Sequence, residues 1–240
     1  MYCTIPEAII ISTGPDVNSY IAFFDLDRTI TKAVSGNVLA LTAYRKGLMS
    51  NSDMMYALWL LLGYKLSLRD PQKIIYKMAG WVKGIPEKTL DELSVEISHK
   101  ILLPAVYPEA LSEIRMHSDK NARTVILSSS PYPVCREMSN SLGIDDIVCS
   151  DLEVIDGYLT GRSVRPLCFG EEKVIRLKEY CEINNTDPGN CWYYGDSLAD
   201  YPALSIVGNP VCINPDRKLL KQARIKGWKI CSWNLNTPGP

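Results

Sequence analysis

The chain has 240 residues, of which 46% are hydrophobic, so it can build a substantial core and is not globally disordered. Its 26 basic and 27 acidic residues nearly cancel and form no basic run, which argues against a nucleic-acid or anionic-membrane partner. The eight cysteines form no Cys-x-x-Cys pair and have no His at metal-ligand spacing. Because the residues after Met1 lack the basic segment of a secretory signal, we expect a cytoplasmic protein with reduced thiols.

Two aspartates follow the first apolar segment of the chain. Residues Ile21–Phe24 are typical of a buried strand in a parallel sheet, and Asp25 and Asp27 come directly after it. Side chains two positions apart point the same way in an extended chain, so both carboxylates can face one site. That end of an open α/β sheet is where ligands bind, and paired carboxylates there need a compensating cation. Because Asp-x-Asp-x-Thr alone is a weak signal, a simple surface loop is the alternative at this point.

The segment after Thr31 predicts helices rather than strands. Val34, Val38 and Leu41 recur at helical spacing. The next helix contains the most apolar stretch of the chain, Met54–Leu62, which is too short for a bilayer that needs about 20 residues. We therefore expect no transmembrane segment and predict that this helix is buried, with a membrane-touching helix as the alternative.

Two more helices follow without an intervening strand. One begins at Pro71 and the other at Pro86, and the second has an apolar face formed by Leu90, Leu93, Ile97 and Ile101. Four consecutive helices interrupt the alternation of strands and helices that a parallel sheet requires. We therefore predict a small helical-bundle domain at residues 33–104, inserted into a core of residues 1–32 and 105–240.

A second buried strand, Thr124–Leu127, ends in three serines, Ser128–Ser130, shortly before a predicted helix. Hydroxyls and free backbone N–H groups near a helix start suit an anion of the size of phosphate, whereas the alternative is an ordinary serine N-cap. Lys173 lies in the first turn of a later helix, from which it can reach the strand ends. It is either part of this site or one of several solvated charges.

A third apolar segment, Cys191–Tyr194, also ends in an acid. Gly195 permits a tight exit turn before Asp196, and Asp200 follows four residues later on the first turn of a helix. Asp200 can therefore lean back over the same site. Three strand ends thus offer carboxylates for a hard cation, hydroxyls for an anion and a lysine to balance the charge.

Three shorter signals complete the predicted strands. Asp156-Gly157 between two β-prone runs predicts a hairpin. Val211–Ile213 predicts a short core strand, and Trp228–Ser232 predicts an edge strand. Together the segments predict an α/β fold with a parallel-sheet core.

The ordered set of motifs resembles the haloacid dehalogenase superfamily of phosphatases, and within it subfamily IB, the branch that includes phosphoserine phosphatase. The matching residues are Asp25-Leu26-Asp27-Arg28-Thr29, Ser128, Lys173 and Gly195-Asp196-Ser197-x-x-Asp200, in the family's order. The helical insertion resembles the cap domain of that branch. The resemblance implies a Rossmann-like parallel-sheet core with an inserted small helical-bundle cap, and it implies a phosphoric monoester hydrolase.

The resemblance also implies catalytic and metal-binding roles. Asp25 would be the nucleophile that forms an aspartyl phosphate, and Asp27 would be the general acid and then the general base. Mg²⁺ would be bound by Asp25, Asp196 and the backbone carbonyl of Asp27. Asp200 would be a further ligand or would support the ligands.

The phosphate-binding residues follow from the same resemblance. Ser128, the backbone amide of Ser129, and Lys173 would bind the phosphoryl oxygens and stabilise charge in the transition state. The substrate would be a small organic phosphomonoester, and the chain could form a homodimer.

Three departures from phosphoserine phosphatase leave the substrate open. Residues Thr31–Val38 contain no acid, where that enzyme typically carries a glutamate for the substrate ammonium. Ser129 and Ser130 replace two glycines, and Arg28 replaces a smaller residue. A phosphatase of a lipid or amphipathic alcohol phosphate is therefore an alternative. Of the other classes, a metal-independent dehalogenase would not need Asp27, and a non-catalytic binding protein should have lost at least one of the six motif positions.

Overall fold

The computed structural model describes residues 20–65 and 79–236 and has a parallel sheet at its centre. The described strands are β1 (Ile21–Phe24), β2 (Arg123–Pro131), β3 (Asp146–Ser150), β4 (Leu152–Ile155), β5 (Tyr158–Ser163), β6 (Trp192–Gly195), β7 (Asn209–Ile213) and β8 (Lys229–Cys231). Six of them form one sheet in the order β3-β2-β1-β6-β7-β8, with all neighbours parallel. β4 and β5 form a separate antiparallel pair.

The helices fall into an inserted group and an alternating group. The described helices are α1 (Ser35–Arg45), α2 (Asn51–Lys65), α3 (Glu87–Ile97), α4 (Pro108–Asp119), α5 (Tyr132–Leu142), α6 (Glu171–Ile183), α7 (Tyr201–Leu204) and α8 (Arg217–Lys226). α1, α2 and α3 lie between β1 and β2 in the chain, whereas the later helices alternate with strands. The predicted α/β fold, a parallel-sheet core with an inserted helical region, is confirmed.

Both faces of the sheet are covered by apolar side chains. Phe23 and Val125 belong to one buried cluster, together with Leu177 of α6. Phe24 and Ile126 belong to a second cluster on the opposite face. Because alternate residues of β1 enter opposite clusters, each of them has to be apolar. This explains the unbroken apolar run that precedes the first aspartate.

The inserted helices share one of these clusters with the sheet. Leu39 of α1 and Leu90 of α3 lie in the cluster that contains Phe24. The insertion is therefore packed onto the core through apolar contacts. Its predicted boundaries, residues 33–104, stay a prediction, and the helix predicted from Pro71 lies outside the described residues.

The helix predicted after Thr31 is confirmed as α1, but the residues that revealed it do not form its buried side. The helix buries Ser35, Leu39 and Ala43, a row spaced by four residues, whereas Val38 is half-buried and Leu41 is exposed. A helix that buries one narrow row leaves its other apolar residues near solvent, which is common for single side chains.

The prediction that α2 is buried is wrong for most of its described side chains. Ala57 and Leu60 are buried, but Met55 is 68% exposed and Leu58 and Trp59 are about half exposed. Because nearly every residue in this stretch is apolar, its pattern does not indicate which side faces the core. In the described part of the chain, no helix combines the length and the apolar character needed to cross a membrane.

The apolar face of α3 is predicted correctly up to the end of the helix. Leu90 and Ile97 are buried, but Ile101 is 40% exposed and Leu102 is buried in its place. A π-helical turn, Ser98–Leu102, follows α3 directly. Because a π turn contains one residue more than an α turn, it moves the inward-facing position forward by one residue.

The predicted hairpin at Asp156-Gly157 is confirmed, and it contacts the insertion. Both residues have positive φ, 50° and 80°, which a tight two-residue hairpin turn requires. Three backbone hydrogen bonds of 2.8–3.0 Å join the hairpin to residues 84–87. The hairpin thus links the core to the segment that precedes α3.

His117 of α4 is buried against β6. His117 Nδ1 lies 2.9 Å from Tyr20 Oη, and His117 Nε2 lies 2.8 Å from Tyr194 Oη. Because the Tyr194 hydroxyl donates to Glu113, it must accept from Nε2–H, and Nδ1 then accepts from Tyr20. Burial lowers the pKa of His117 to about 4, so the ring is neutral at pH 7. Its role is structural: it hydrogen-bonds Tyr20 and Tyr194.

Candidate active site

The carboxyl ends of three adjacent strands bring the predicted site residues together. β1 lies between β2 and β6 in the sheet. Asp25 follows β1, Asp196 follows β6, and Ser128 lies near the end of β2. Because parallel strands end at the same edge of a sheet, the three side chains converge there.

Three buried aspartates form the acidic part of the site. Asp25, Asp196 and Asp200 each place one carboxylate oxygen within 4.8 Å of the other two. We call these three residues the acidic trio. Lys173 Nζ lies 2.7 Å from Asp25 Oδ1 and 2.6 Å from Asp200 Oδ1. One lysine, in the first turn of α6, therefore bridges two members of the trio.

When all three of its carboxylates are ionised, the acidic trio holds more negative charge than Lys173 can balance. Burial raises the pKa of Asp25 to about 7, with Lys173 opposing the shift and Asp200 adding to it. Burial, Asp200 and Asp25 raise the pKa of Asp196 to about 9. Burial disfavours the charged form of Lys173, but Asp200 and Asp25 outweigh it and hold the pKa of Lys173 well above its usual value. Lys173 is therefore positively charged at neutral pH, but a further cation is needed before all three carboxylates can ionise.

Asp200 is held by the protein through both of its carboxylate oxygens. Oδ1 accepts hydrogen bonds from Lys173 Nζ and from Tyr193 Oη, the latter at 2.7 Å. Oδ2 accepts from the Ser197 backbone N–H at 3.2 Å and from the Ser197 hydroxyl at 3.0 Å. Burial would raise the pKa of Asp200, but Lys173 and these hydrogen bonds lower it. With both oxygens engaged, Asp200 fits the supporting role better than that of a direct metal ligand.

Gly195 provides space for Asp200 rather than an unusual backbone angle. The φ angle of Gly195 is not in the left-handed region, so the tight turn predicted there does not depend on that freedom. An added Cβ, however, would lie 2.7 Å from Asp200 Cβ and 2.9 Å from Asp200 Cγ. Such distances are shorter than real side-chain contacts, so only glycine lets Asp200 approach β6 this closely.

The Asp27 carboxylate is bound by serines. Oδ1 accepts from the Ser35 backbone N–H at 2.8 Å, and Oδ2 accepts from the Ser35 hydroxyl at 3.0 Å. Ser130 Oγ lies 3.5 Å from the same Oδ2. Burial raises the pKa of Asp27, and the two bonds from Ser35 oppose the shift. A carboxyl group that takes up a proton more readily than usual suits acid–base chemistry.

The three serines predicted as an anion site lie at the end of β2. The strand continues through them to Pro131, and α5 begins at Tyr132 with Pro131 as its N-cap, so the alternative of an ordinary serine cap is wrong. Ser128 is buried and Ser129 is half-buried. Ser128 Oγ donates to Ser130 Oγ at 3.2 Å.

Two polar residues of the site are not predicted from the sequence. Tyr193 donates to Asp200 and accepts from Lys173 at 3.0 Å, and the available signal was a tyrosine hydroxyl inside a predicted buried strand. Ser35 gives no such signal, because a serine at the start of a helix is ordinary. Its contact with Asp27 depends on how the insertion packs on the core.

The acidic trio fits a magnesium ion. Its members supply carboxylate oxygens, the ligands that Mg²⁺ prefers, and they lie close enough together to share one ion. The raised pKa values of Asp25 and Asp196 reflect burial first and repulsion from neighbouring carboxylates second, and a divalent cation would favour the ionised form of both residues. Asp25 and Asp196 would bind the ion directly, with Asp200 behind them.

The fold and these strand-end carboxylates are those of the haloacid dehalogenase-like hydrolases. The model of that family matches residues 22–205, so the chain belongs to the family. A protein of Mycobacterium tuberculosis named as a probable phosphatase is 30% identical over 224 residues, which cover 89% of this chain and 75% of that protein. A histidinol-phosphatase of Neisseria meningitidis is 25% identical over 223 residues, covering 89% of this chain and 98% of that enzyme.

Two solved structures share the fold. A Bordetella pertussis protein of unknown function superposes with a TM-score of 0.81 at 22% identity, covering 91% of this chain and 99% of that chain. A phosphoserine phosphatase, solved as an analogue of its phospho-aspartyl intermediate, gives a TM-score of 0.67 at 16% identity, covering 90% and 93%. The predicted resemblance is confirmed, and with relatives named as phosphatases the chain is a phosphoric monoester hydrolase.

Gly195→Ala is expected to lower the rate of phosphate release about tenfold or more, because small misplacements of site residues are costly. The added methyl group would meet Asp200 next to its backbone, where side-chain rotation gives no relief, and would loosen the contact between Asp200 and Lys173. Gly36→Ala is the matched control, since a Cβ there meets nothing within 4 Å. Steady-state kinetics of both variants check the expectation, and equal rates in the two would contradict it.

Proposed function

We propose that the chain is a Mg²⁺-dependent phosphomonoester hydrolase that acts on a small organic phosphate through an aspartyl phosphate on Asp25. The observation that carries the proposal is the arrangement around this residue. Asp25 is buried at a strand end, is held at 2.7 Å by Lys173, and lies within reach of two further carboxylates. Asp27, two residues later, is bound by serines instead of by the lysine. One loop thus presents two carboxylates in different surroundings, which suits them to different roles.

In the first step, a carboxylate oxygen of Asp25 attacks the phosphorus and the bond from phosphorus to the alcohol oxygen breaks. Lys173 holds Asp25 Oδ1, which fixes the orientation of the carboxylate and leaves Oδ2 to attack. The departing alkoxide takes the proton of Asp27 and leaves as the alcohol. Mg²⁺, when bound, would reduce repulsion between the carboxylate and the phosphate dianion.

In the second step, water replaces the aspartyl oxygen. Asp27, now ionised, accepts a proton from the water as its oxygen attacks the phosphorus. The bond from phosphorus to Asp25 breaks, inorganic phosphate leaves, and Asp27 is protonated again for the next cycle. Ser128, the backbone N–H of Ser129, and Lys173 bind the phosphoryl oxygens in both steps, where charge develops.

Phosphate release is expected to depend strictly on a divalent cation. EDTA should reduce turnover to background, Mg²⁺ should restore it, and Ca²⁺ should substitute poorly because it prefers looser and higher coordination. Release of inorganic phosphate, measured with and without excess EDTA, checks this. Full turnover in EDTA would contradict the proposal and favour the metal-independent chemistry of a dehalogenase.

A matching effect of Mg²⁺ on stability is expected, and its pH dependence has a defined sign. In the metal-free protein the pKa values of Asp25 and Asp196, about 7 and about 9, lie above those of an unfolded aspartate, about 4. The folded state therefore binds more protons, and its stability falls as the pH rises from about 4 to about 9. Mg²⁺ should raise the unfolding temperature more at pH 8 than at pH 5. An equal increase at both pH values would argue against binding to these two carboxylates.

The substrate is proposed to be an alcohol phosphate without a strong requirement for an ammonium group. Residues Thr31–Val38 supply no carboxylate. Arg28 is exposed, and its positive charge lowers the pKa of Asp196 against the effect of burial. A substrate ammonium beside Arg28 would be repelled by the guanidinium, and the segment after Thr31 offers no carboxylate to pair with it. An unpaired desolvated charge costs several kcal/mol. Relatives are named for both histidinol phosphate and phosphoserine, so the family itself does not fix the alcohol.

Phosphoserine is therefore expected not to stand out among small phosphomonoesters. Where only apolar contacts discriminate, each methylene-sized difference is worth about 1–3 kcal/mol. We expect kcat/KM for phosphoserine to lie within about tenfold of that for alkyl and aryl phosphates, with amphipathic alcohols tolerated. A panel that includes phosphoserine, histidinol phosphate, alkyl phosphates and a short-chain lipid phosphate tests this. A preference of about a thousandfold for phosphoserine, about 4 kcal/mol, would show that another residue replaces the missing glutamate.

A further inference from the structure

The first helix of the insertion is capped by the proposed general acid. α1 begins at Ser35, and the preceding Val34 has no side chain that could cap it. The Ser35 N–H instead donates to Asp27 Oδ1 at 2.8 Å, and the Ser35 hydroxyl donates to Asp27 Oδ2 at 3.0 Å. One residue of the insertion therefore holds both carboxylate oxygens of Asp27.

Two serines of β2 extend this set of hydrogen bonds into the core. Ser130 Oγ lies 2.7 Å from Ser35 Oγ, and Ser128 Oγ lies 3.2 Å from Ser130 Oγ. Since the Ser35 hydroxyl donates its proton to Asp27, it can only accept from Ser130. The Ser130 proton goes to Ser35 at 2.7 Å rather than to Asp27 Oδ2 at 3.5 Å, and Ser130 in turn accepts from Ser128. All three serines are at most 4% exposed, so water does not compete for these bonds.

These hydrogen bonds connect the proposed phosphate-binding serine to the proposed general acid. Three hydroxyls donate in series from Ser128 to Asp27. The Ser130 side chain contacts both of the other hydroxyls, so the link depends on it. A plain helix cap for α1 would need only the Ser35 N–H and would not need either hydroxyl.

We propose that Ser35 and Ser130 are positioning residues that hold the Asp27 carboxyl toward the leaving oxygen of the substrate. This inference rests on the role of Asp27 in the proposed function. A carboxylate on a short loop can rotate about two side-chain bonds, and a proton donor must lie within hydrogen-bond reach of the atom it protonates. Ser35 donates to both carboxylate oxygens of Asp27, and Ser130 of the core donates to the Ser35 hydroxyl and so fixes its orientation. Together the two serines restrict that rotation.

The test compares leaving groups in variants that lack one hydroxyl. Ser35→Ala and Ser130→Ala keep the backbone, and Ser35→Thr keeps the hydroxyl. Ser112→Ala, on the exposed side of α4, is the control. Each protein is assayed with p-nitrophenyl phosphate, whose leaving group scarcely needs an acid, and with an alkyl phosphate, whose leaving group needs one. Thermal unfolding is measured for each.

We expect Ser35→Ala and Ser130→Ala each to lose about tenfold in kcat/KM with the alkyl phosphate and less than about threefold with p-nitrophenyl phosphate. We compare kcat/KM because it reports the first step, in which the alcohol leaves, and not the later hydrolysis that both substrates share. Ser35→Thr should recover most of the loss. The double variant should lose little more than either single variant, because both residues act through Asp27. If Ser35→Ala does not fold, the leaving-group comparison for Ser130→Ala alone tests the inference.

Equal losses with both substrates, or no loss with either, would overturn the inference, because a residue that only supports the fold does not distinguish leaving groups. Asp27→Asn separates this failure from a failure of the proposed function. If Asp27→Asn shows the selective loss and the serine variants do not, only the inference is wrong. If Asp27→Asn also shows no selective loss, the proposed role of Asp27 is wrong, and the inference fails with it.

Discussion

Asp25→Asn is expected to reduce turnover to background, a loss of at least about 10⁴-fold. The amide is a very weak nucleophile, so the covalent step cannot occur, although the new side chain retains an oxygen that can accept from Lys173. Phosphate release measures the loss. Asp119→Asn, on the exposed end of α4, is the matched control and should keep full activity.

The same experiment separates the two aspartates of the loop. Asp27→Asn should still form the aspartyl phosphate with p-nitrophenyl phosphate but should lose about 10²–10⁴-fold with alkyl phosphates, the usual value of general acid–base catalysis. Rapid acid quenching followed by mass spectrometry should detect phosphate on Asp25 in this variant and none in Asp25→Asn. Near-normal turnover of Asp25→Asn, or a phosphoryl group on another residue, would contradict the covalent mechanism.

Lys173→Met is expected to lose activity and to lower the free energy of unfolding of the metal-free protein by about 3–5 kcal/mol. Lys173 is 3% exposed and balances Asp25 and Asp200, so its removal leaves two buried carboxylates without their cation. Lys178→Met, on the exposed side of the same helix, is the matched control and should change stability little. Denaturant unfolding of the two variants measures the difference.

Mg²⁺ should recover part of the stability lost in Lys173→Met, because a second cation reaches the same carboxylates. It should recover much less of the activity, since Lys173 also binds the phosphoryl group in the proposed mechanism. If Lys173→Met and Lys178→Met were equally stable, the bridge between Asp25 and Asp200 would not contribute to the fold, and the charge argument for the site would be wrong.

The core of the molecule is predictable because its signals are local. Ile21–Phe24 and Cys191–Tyr194 are apolar on both faces and end in aspartate, which fixes both the strands and the edge where the acids meet. Lys173 and Asp200 follow from their positions on first helical turns near that edge. The pairing of Lys173 with two carboxylates agrees with the expected balance of charge.

The parts that sequence reasoning misses depend on how elements pack. The uniform apolarity of α2 hides its orientation, so Met55 and Trp59 lie outside although the pattern suggests burial. A single π turn moves the buried position from Ile101 to Leu102, and no residue in the sequence predicts such a turn. The bond from Ser35 to Asp27 joins two elements whose relative position only the folded chain defines.

The hydrogen bonds between the hairpin and residues 84–87 have a consequence for how the molecule unfolds. Three backbone bonds are worth about 0.5–1.5 kcal/mol each, and the insertion also shares an apolar cluster with the sheet. If either the insertion or the sheet core unfolds, apolar surface of the other is exposed. We therefore expect the insertion and the core to unfold as one cooperative unit. Calorimetry of the whole chain should therefore give a single heat-absorption peak whose van't Hoff and calorimetric enthalpies agree.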